Sequence, residues 1–150
     1  MFVFSDADWG KSGNGRSQSG GVVTFCGNII SWHSRKQSSV ALSTAESELM
    51  AIKEVTKTGL YFYQLLNEIG IPVNYVNLCG DNKAALTMSS HNTQNHKSRH
   101  ISISYFFIRE LVEKRQFRLW YIQSGANPAD LLTKNLSPIK LNNSLITMLQ

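Results

Sequence analysis

The sequence has few carboxylates. Its 150 residues hold 10 Asp and Glu against 15 Lys and Arg, a formal charge of +5 at neutral pH. That balance disfavours a cationic partner and leans toward a polyanion, although charge alone names none. No apolar run approaches the roughly 20 residues that span a bilayer, so no membrane association is expected. The opening Met1-Phe2-Val3-Phe4-Ser5 lacks the basic segment and long apolar stretch of a secretion signal. Only two cysteines are present, which excludes a disulfide framework; Cys26 and Cys79 each lie in an apolar stretch and are expected to be reduced and buried in an intracellular protein. No internal repeat or low-complexity tract occurs. With 42% hydrophobic and 17% charged residues the chain is globular, and at this length one domain around a single core is expected.

What is present reads as alternating strands and helices. Phe2 to Trp9 is a short strand closed by Gly10, and the Gly/Ser-rich stretch from Lys11 to Gly20 is a loop. Gly21 to Cys26 and Ile29 to Ser34 are strands joined by a turn at Gly27-Asn28. Ser43 with Glu46 three residues later forms a capping box, and Leu49, Ile52, Val55, Thr56, Tyr63 and Leu66 follow at helical spacing until Gly70 and Pro72. Val73 to Gly80 is a fourth strand, and Asp81-Asn82-Lys83 opens a short helix. A polar loop over His91 to Arg99 precedes a helix over Ile101 to Lys114, a fifth strand over Phe117 to Ile122, and a short helix over Ala129 to Lys134. The order predicts a mixed sheet with helices on its faces.

With so few acids, each can be asked what it does. Glu46 caps a helix, Glu54 can pair with Lys57, Glu110 with Lys114, and Glu68 and Glu113 fall on helical surface positions. Four others are harder to assign to such duties alone. Asp6 and Asp81 each close an apolar strand, Glu48 lies among core positions one turn into the first long helix, and Asp130 opens the last short helix. Ligand sites of α/β sheets form at the carboxyl ends of strands, so parallel, neighbouring first and fourth strands would bring Asp6 and Asp81 together. Carboxylates that close repel unless a cation joins them. Mg²⁺ is a hard cation that takes oxygen ligands; two such ions roughly 3.5–4 Å apart can activate water and stabilise a leaving oxygen in phosphodiester cleavage. The alternatives remain open at this level: Asp130 is spaced to pair with Lys134, and Asp81 could be only an N-cap.

The motifs resemble a known family. Ser5-Asp6-Ala7-Asp8-Trp9-Gly10, Ser17 to Gly21, Ile30 to Gln37, Ala41 to Glu48, Gly80 to Ala85, Arg99-His100-Ile101 with Phe107 to Glu110, and Asn127 to Lys134 resemble, in order, the ribonuclease H domain of Copia-type LTR retrotransposons. Each motif is modest, but their order from about residue 4 to residue 136 is highly specific. The resemblance implies an α/β, ribonuclease H-like fold: a five-stranded mixed sheet, order 3-2-1-4-5, flanked by helices. Residues 1–136 would form this domain, and 137–150 a helical tail packed on it. It implies hydrolysis of the RNA strand of RNA–DNA hybrids during reverse transcription with two Mg²⁺, for which Mn²⁺ can substitute. The family's catalytic and metal-holding Asp-Glu-Asp-Asp set falls on Asp6, Glu48, Asp81 and Asp130. The motif favours Asp6 over Asp8, and Glu46 is already engaged as a cap, which leaves Glu48.

The implied partners are an RNA–DNA hybrid and the polymerase domain of the same polyprotein; the implied place is intracellular, in a cytoplasmic virus-like particle if the chain is part of an active element. A start this close to the first strand is what a piece of a longer polyprotein is expected to show. Hybrids are read through phosphates, groove shape and 2′-hydroxyls. Candidate contacts are Lys11, Arg16, Arg35, Lys36, Lys83, Arg99 and His100, with Gln37 and Asn82 as polar donors. Trp9 and Trp32 are expected to pack in the core or at its rim. His96 and His100 have the spacing of a zinc pair, but neither cysteine has a nearby partner. The pattern departs from the family in having no His in the loop from Ser124 to Ala129, and Ser102 and Phe106 where members often carry Asp and His. The alternative function is a catalytically weak or inactive module that binds nucleic acid and supports the polymerase.

Overall fold

The computed structural model describes residues 1–10, 15–90 and 99–134, and the side chains of these except 88–90 and 99–102. Lys11, the expected tail at 137–150, and His91 and His96 lie outside the described residues. So do the side chains of Arg99 and His100.

Strands β1 (Phe2–Asp8), β2 (Gln18–Phe25) and β3 (Asn28–Lys36) form an antiparallel meander. Helix α1 (Thr44–Glu68) crosses over to β4 (Val76–Gly80), which pairs parallel with β1. Helices α2 (Lys83–Ser90) and α3 (Arg99–Glu113) lead to β5 (Phe117–Tyr121), parallel to β4, and 3-10 turns at Ser124–Ala126 and Pro128–Leu132 follow. The sheet order is β3-β2-β1-β4-β5, as the motifs imply. The core lies between the sheet and the helices, where Val3, Val23, Val76, Leu78 and Phe117 meet Leu49, Ile52, Val55 and Ile108. Among the described residues, no helix is long and apolar enough to cross a membrane.

Local chemistry sets the element ends. Ser43 Oγ accepts the Glu46 N–H at 3.2 Å, while Glu46 Oε2 accepts the Leu42 N–H at 2.8 Å, so the α1 cap forms as the sequence predicts. β4 starts at Val76 rather than Val73, because the Asn67 side chain takes both the N–H and the carbonyl of Val73 and holds that segment out of the ladder. The β2–β3 turn is centred on Cys26 and Gly27, both at positive φ (49° and 80°), as a two-residue hairpin of this hand requires. Cys26 therefore stands exposed at a hairpin tip and is not the buried residue its apolar neighbours suggested; Cys79 is buried. Trp32, 67% exposed on the edge strand β3, likewise does not pack in the core. Trp9 sits at the rim, with its indole N–H donated to the Ala41 carbonyl at 3.0 Å.

Candidate active site

Three carboxylates from three elements meet at one end of the sheet. β1 and β4 run parallel with Phe2 beside Asn77 and Phe4 beside Cys79. Extending that register by two residues sets Asp6 beside Asp81, just past the end of β4. Glu48 comes from the first turns of α1, whose buried face carries Leu49, Ile52 and Val55 onto the sheet. Oxygens of Asp6, Glu48 and Asp81 all lie within 4.8 Å of one another. Asp81 is not spent on capping: the α2 cap is Asn82, whose Oδ1 accepts the Ala85 N–H at 3.0 Å.

Burial and mutual repulsion shape their proton affinities. Burial, then the charges of Asp6 and Asp81, pushes Glu48 up to about 9, although the Ala7 N–H bonded to its carboxylate favours the charged form. Asp6 is also raised, first by burial, and the Thr133 hydroxyl bonded to it opposes the shift. A buried, like-charged group of oxygen donors is unfavourable by itself and suits a hard divalent cation. The zinc alternative gains nothing, because His91, His96 and the side chain of His100 lie outside the described residues.

Asp130 stands beside this group rather than in it. Its carboxylate pairs with Lys134, one helical turn on, as its spacing allowed, yet its charge reaches Asp6. The turn bearing Asp130 is tied down by Asn127, a residue the sequence reading passed over. Buried Asn127 donates Nδ2–H to the Ser5 carbonyl at 2.8 Å and accepts the Ala129 N–H at 3.1 Å, joining β1 to the turn. The Asn-Pro pair was the available signal. Thr133, also passed over, donates its hydroxyl to Asp6 Oδ2. Gly20, paired with Asp6 across β1 and β2, makes room for this turn: a Cβ there would lie 2.6 Å from the Ala129 carbonyl oxygen and 2.9 Å from Thr133 Cγ2.

The candidate substrate contacts divide. Arg16, Arg35, Lys36 and Lys83 are exposed. Arg35 and Lys36 line a groove of about 230 Å³ between β3 and α1, with Ser38, Ser39 and Lys53. Lys83 stacks its ammonium 4.6 Å from the Tyr121 ring centroid. Asn82 is half-buried as a cap. Gln37 lines the same groove as Arg35 and Lys36 but is 8% exposed. Its Nε2 donates to Ser19 Oγ and to the Ser47 carbonyl, both at 2.8 Å, so it ties β2 to α1.

The chain is similar to "Retrovirus-related Pol polyprotein from transposon TNT 1-94" of Nicotiana tabacum, 37% identical over 87% of this chain and 10% of that protein. It is also 30% identical to "Retrovirus-related Pol polyprotein from transposon RE2" of Arabidopsis thaliana, over 95% of this chain and 10% of that protein. The chain thus spans about a tenth of the length of these relatives. No protein-family model matches it. Among solved structures it is similar to LC11-RNase H1, isolated from compost by a metagenomic approach, with TM-score 0.66, 17% identity, and 99% of this chain and 97% of that one covered. It is similar also to LC11-RNase H1 in complex with RNA/DNA hybrid, with TM-score 0.61, 16% identity, and 87% and 91% covered. These likenesses establish the fold.

Proposed function

The chain belongs to the Copia-type retrotransposon Pol polyproteins, of which it is a ribonuclease H-fold part, and we propose that it hydrolyses the RNA strand of RNA–DNA hybrids during reverse transcription. The observation that carries this reading is the meeting of Asp6, Glu48 and Asp81 within 4.8 Å at the carboxyl end of the central strands. Asp6 and Asp81 would share the metals, Glu48 would hold metal and water, and Asp130 would complete one site once released from Lys134. Two divalent ions, Mg²⁺ or Mn²⁺, would supply an activated water and charge stabilisation on the phosphate.

The chain's own groups prepare the rest. The Thr133 hydroxyl orients Asp6, the Ala7 N–H orients Glu48, and Asn127 fixes the turn that carries Asp130. Exposed Arg16, Arg35, Lys36 and Lys83 would grip the phosphates of the hybrid. The solved complex of LC11-RNase H1 with RNA/DNA hybrid supports that substrate class. The polymerase domain of the same polyprotein is the proposed neighbour, and a cytoplasmic virus-like particle the proposed setting.

The test is hybrid cleavage by the chain in Mg²⁺ and in Mn²⁺, with Asp6→Asn and Asp81→Asn as variants. Cleavage is expected from the parent alone. A variant that cleaves as well as the parent would sink the reading. Hybrid binding without nicking by the parent would favour the inactive module.

A further inference from the structure

Lys134 is the cation of this site to which the proposed reaction gives no duty. It follows Thr133 directly, and the two residues reach different acids: the Thr133 hydroxyl bonds Asp6, and the Lys134 ammonium bonds Asp130. Lys134 favours the charged forms of both Asp6 and Glu48, and it feels Asp130, Asp6 and Asp81 in return. Lys134 is the cation among the main influences on both Asp6 and Glu48. An ordinary exposed i,i+4 pair touches one acid and contributes little. This one faces a cluster whose members repel.

Lys134 is also built to leave. Its side chain is 42% exposed, against 22% for Asp130. Its compact, strongly hydrated head sits on a flexible stem that can turn into water. A divalent ion and an ammonium compete for one carboxylate.

Resting on the reading of the cluster as a divalent-cation site, the geometry points to Lys134 as its resident counter-ion. Lys134 holds Asp130 beside Asp6 before metal arrives and gives Asp130 up on loading. It is a positioning residue that sets how much metal the site needs.

The experiment is a calorimetric titration of the whole chain with Mn²⁺, paired with thermal melting in chelator. Lys134→Met keeps the stem and removes the charge. It is expected to melt lower than the parent without metal, because repulsion is no longer offset. It is also expected to bind Mn²⁺ about three- to tenfold tighter, because the competitor is gone. Lys134→Arg keeps the charge and should bind within about twofold of the parent. If Lys134→Met does not fold, Lys134→Gln carries the same comparison. Metal affinity equal to or weaker than the parent's in the neutral variant would overturn the inference and leave the cation site standing. A change in hybrid affinity alone, with metal affinity unmoved, would overturn it in favour of a phosphate contact. Failure of the parent to take up Mn²⁺ would instead overturn the reading of the cluster itself.

Discussion

Thr133 donates its hydroxyl to Oδ2 of Asp6 across 127 positions of sequence, so the first strand and the final turn meet on one carboxylate. The bond has two consequences. It fixes which oxygens Asp6 turns toward Glu48 and Asp81, and it holds the Asp130 turn against the sheet.

Thr133→Val keeps the shape and removes the donor. It is expected to cost about 1.5–3 kcal/mol of stability, the range for a hydrogen bond to a charged group. It should also raise Asp6 further, because the Thr133 bond opposes the upward shift. The metal concentration for half-maximal cleavage should rise, and the acid limb of the pH–rate profile should move to higher pH. Chemical denaturation and a metal titration at two pH values check this; a profile superimposable on the parent's would show that Thr133 does not set the state of Asp6.

Metal-free stability should fall as pH rises from the ordinary glutamate value of 4.5 to about 9. In that window folded Glu48 retains a proton that the unfolded chain has released, so the folded state binds more protons and loses ground with each step in pH. Metal binding expels that proton, so stabilisation by Mg²⁺ should be larger at pH 8.5 than at pH 6. Glu48→Gln should flatten the metal-free slope and shrink the Mg²⁺ effect. Urea denaturation at both pH values, in chelator and in Mg²⁺, decides it. A parent slope of the opposite sign would refute the assignment.

Gly20→Ala should drive the final turn away from β1, since the new methyl would lie 2.6 Å from the Ala129 carbonyl oxygen. The expected loss is about 1–3 kcal/mol, typical of overpacking, with weakened Mn²⁺ binding. Gly125→Ala, which has nothing within 4 Å of the added carbon, is the control and should leave both unchanged. Equal behaviour of the two variants in calorimetry would show that the close approach is not needed.

Gln37→Ala should behave as a scaffold lesion, and Arg35→Ala and Lys36→Ala as substrate lesions. The first removes two buried hydrogen bonds between β2 and α1 and should cost about 1–3 kcal/mol. The other two should leave stability near the parent's but weaken hybrid binding, each reducing the salt slope by about one if it meets a phosphate. Affinity measured across a salt series, with a melting curve for each variant, separates the classes.

Much of this was legible in one dimension because it depends on local chemistry. Alternating apolar residues, the Ser43–Glu46 cap and the Gly70-Pro72 stop placed the elements. The duties of Glu46, Glu54 and Glu110 followed from three- and four-residue spacings that a helix enforces. Setting those acids aside, with Glu68 and Glu113, left Asp6, Asp8, Glu48, Asp81 and Asp130, and the family resemblance favoured Asp6 over Asp8. The sequence misled where burial is decided between segments: Cys26 lies in an apolar run but falls on a hairpin tip. Nor did it show that polar Gln37 fills a buried junction.

By itself, then, the sequence determined which acids have short-range duties, because capping and helix pairing are read directly from spacing. Tertiary structure decided which of the remaining acids meet. The parallel β1–β4 register brings Asp6 to Asp81, and α1 adds Glu48. It also showed that Asp130 rests on Lys134 at the edge of the group, a competition between a local ion pair and a long-range cluster that only their distances in space can resolve.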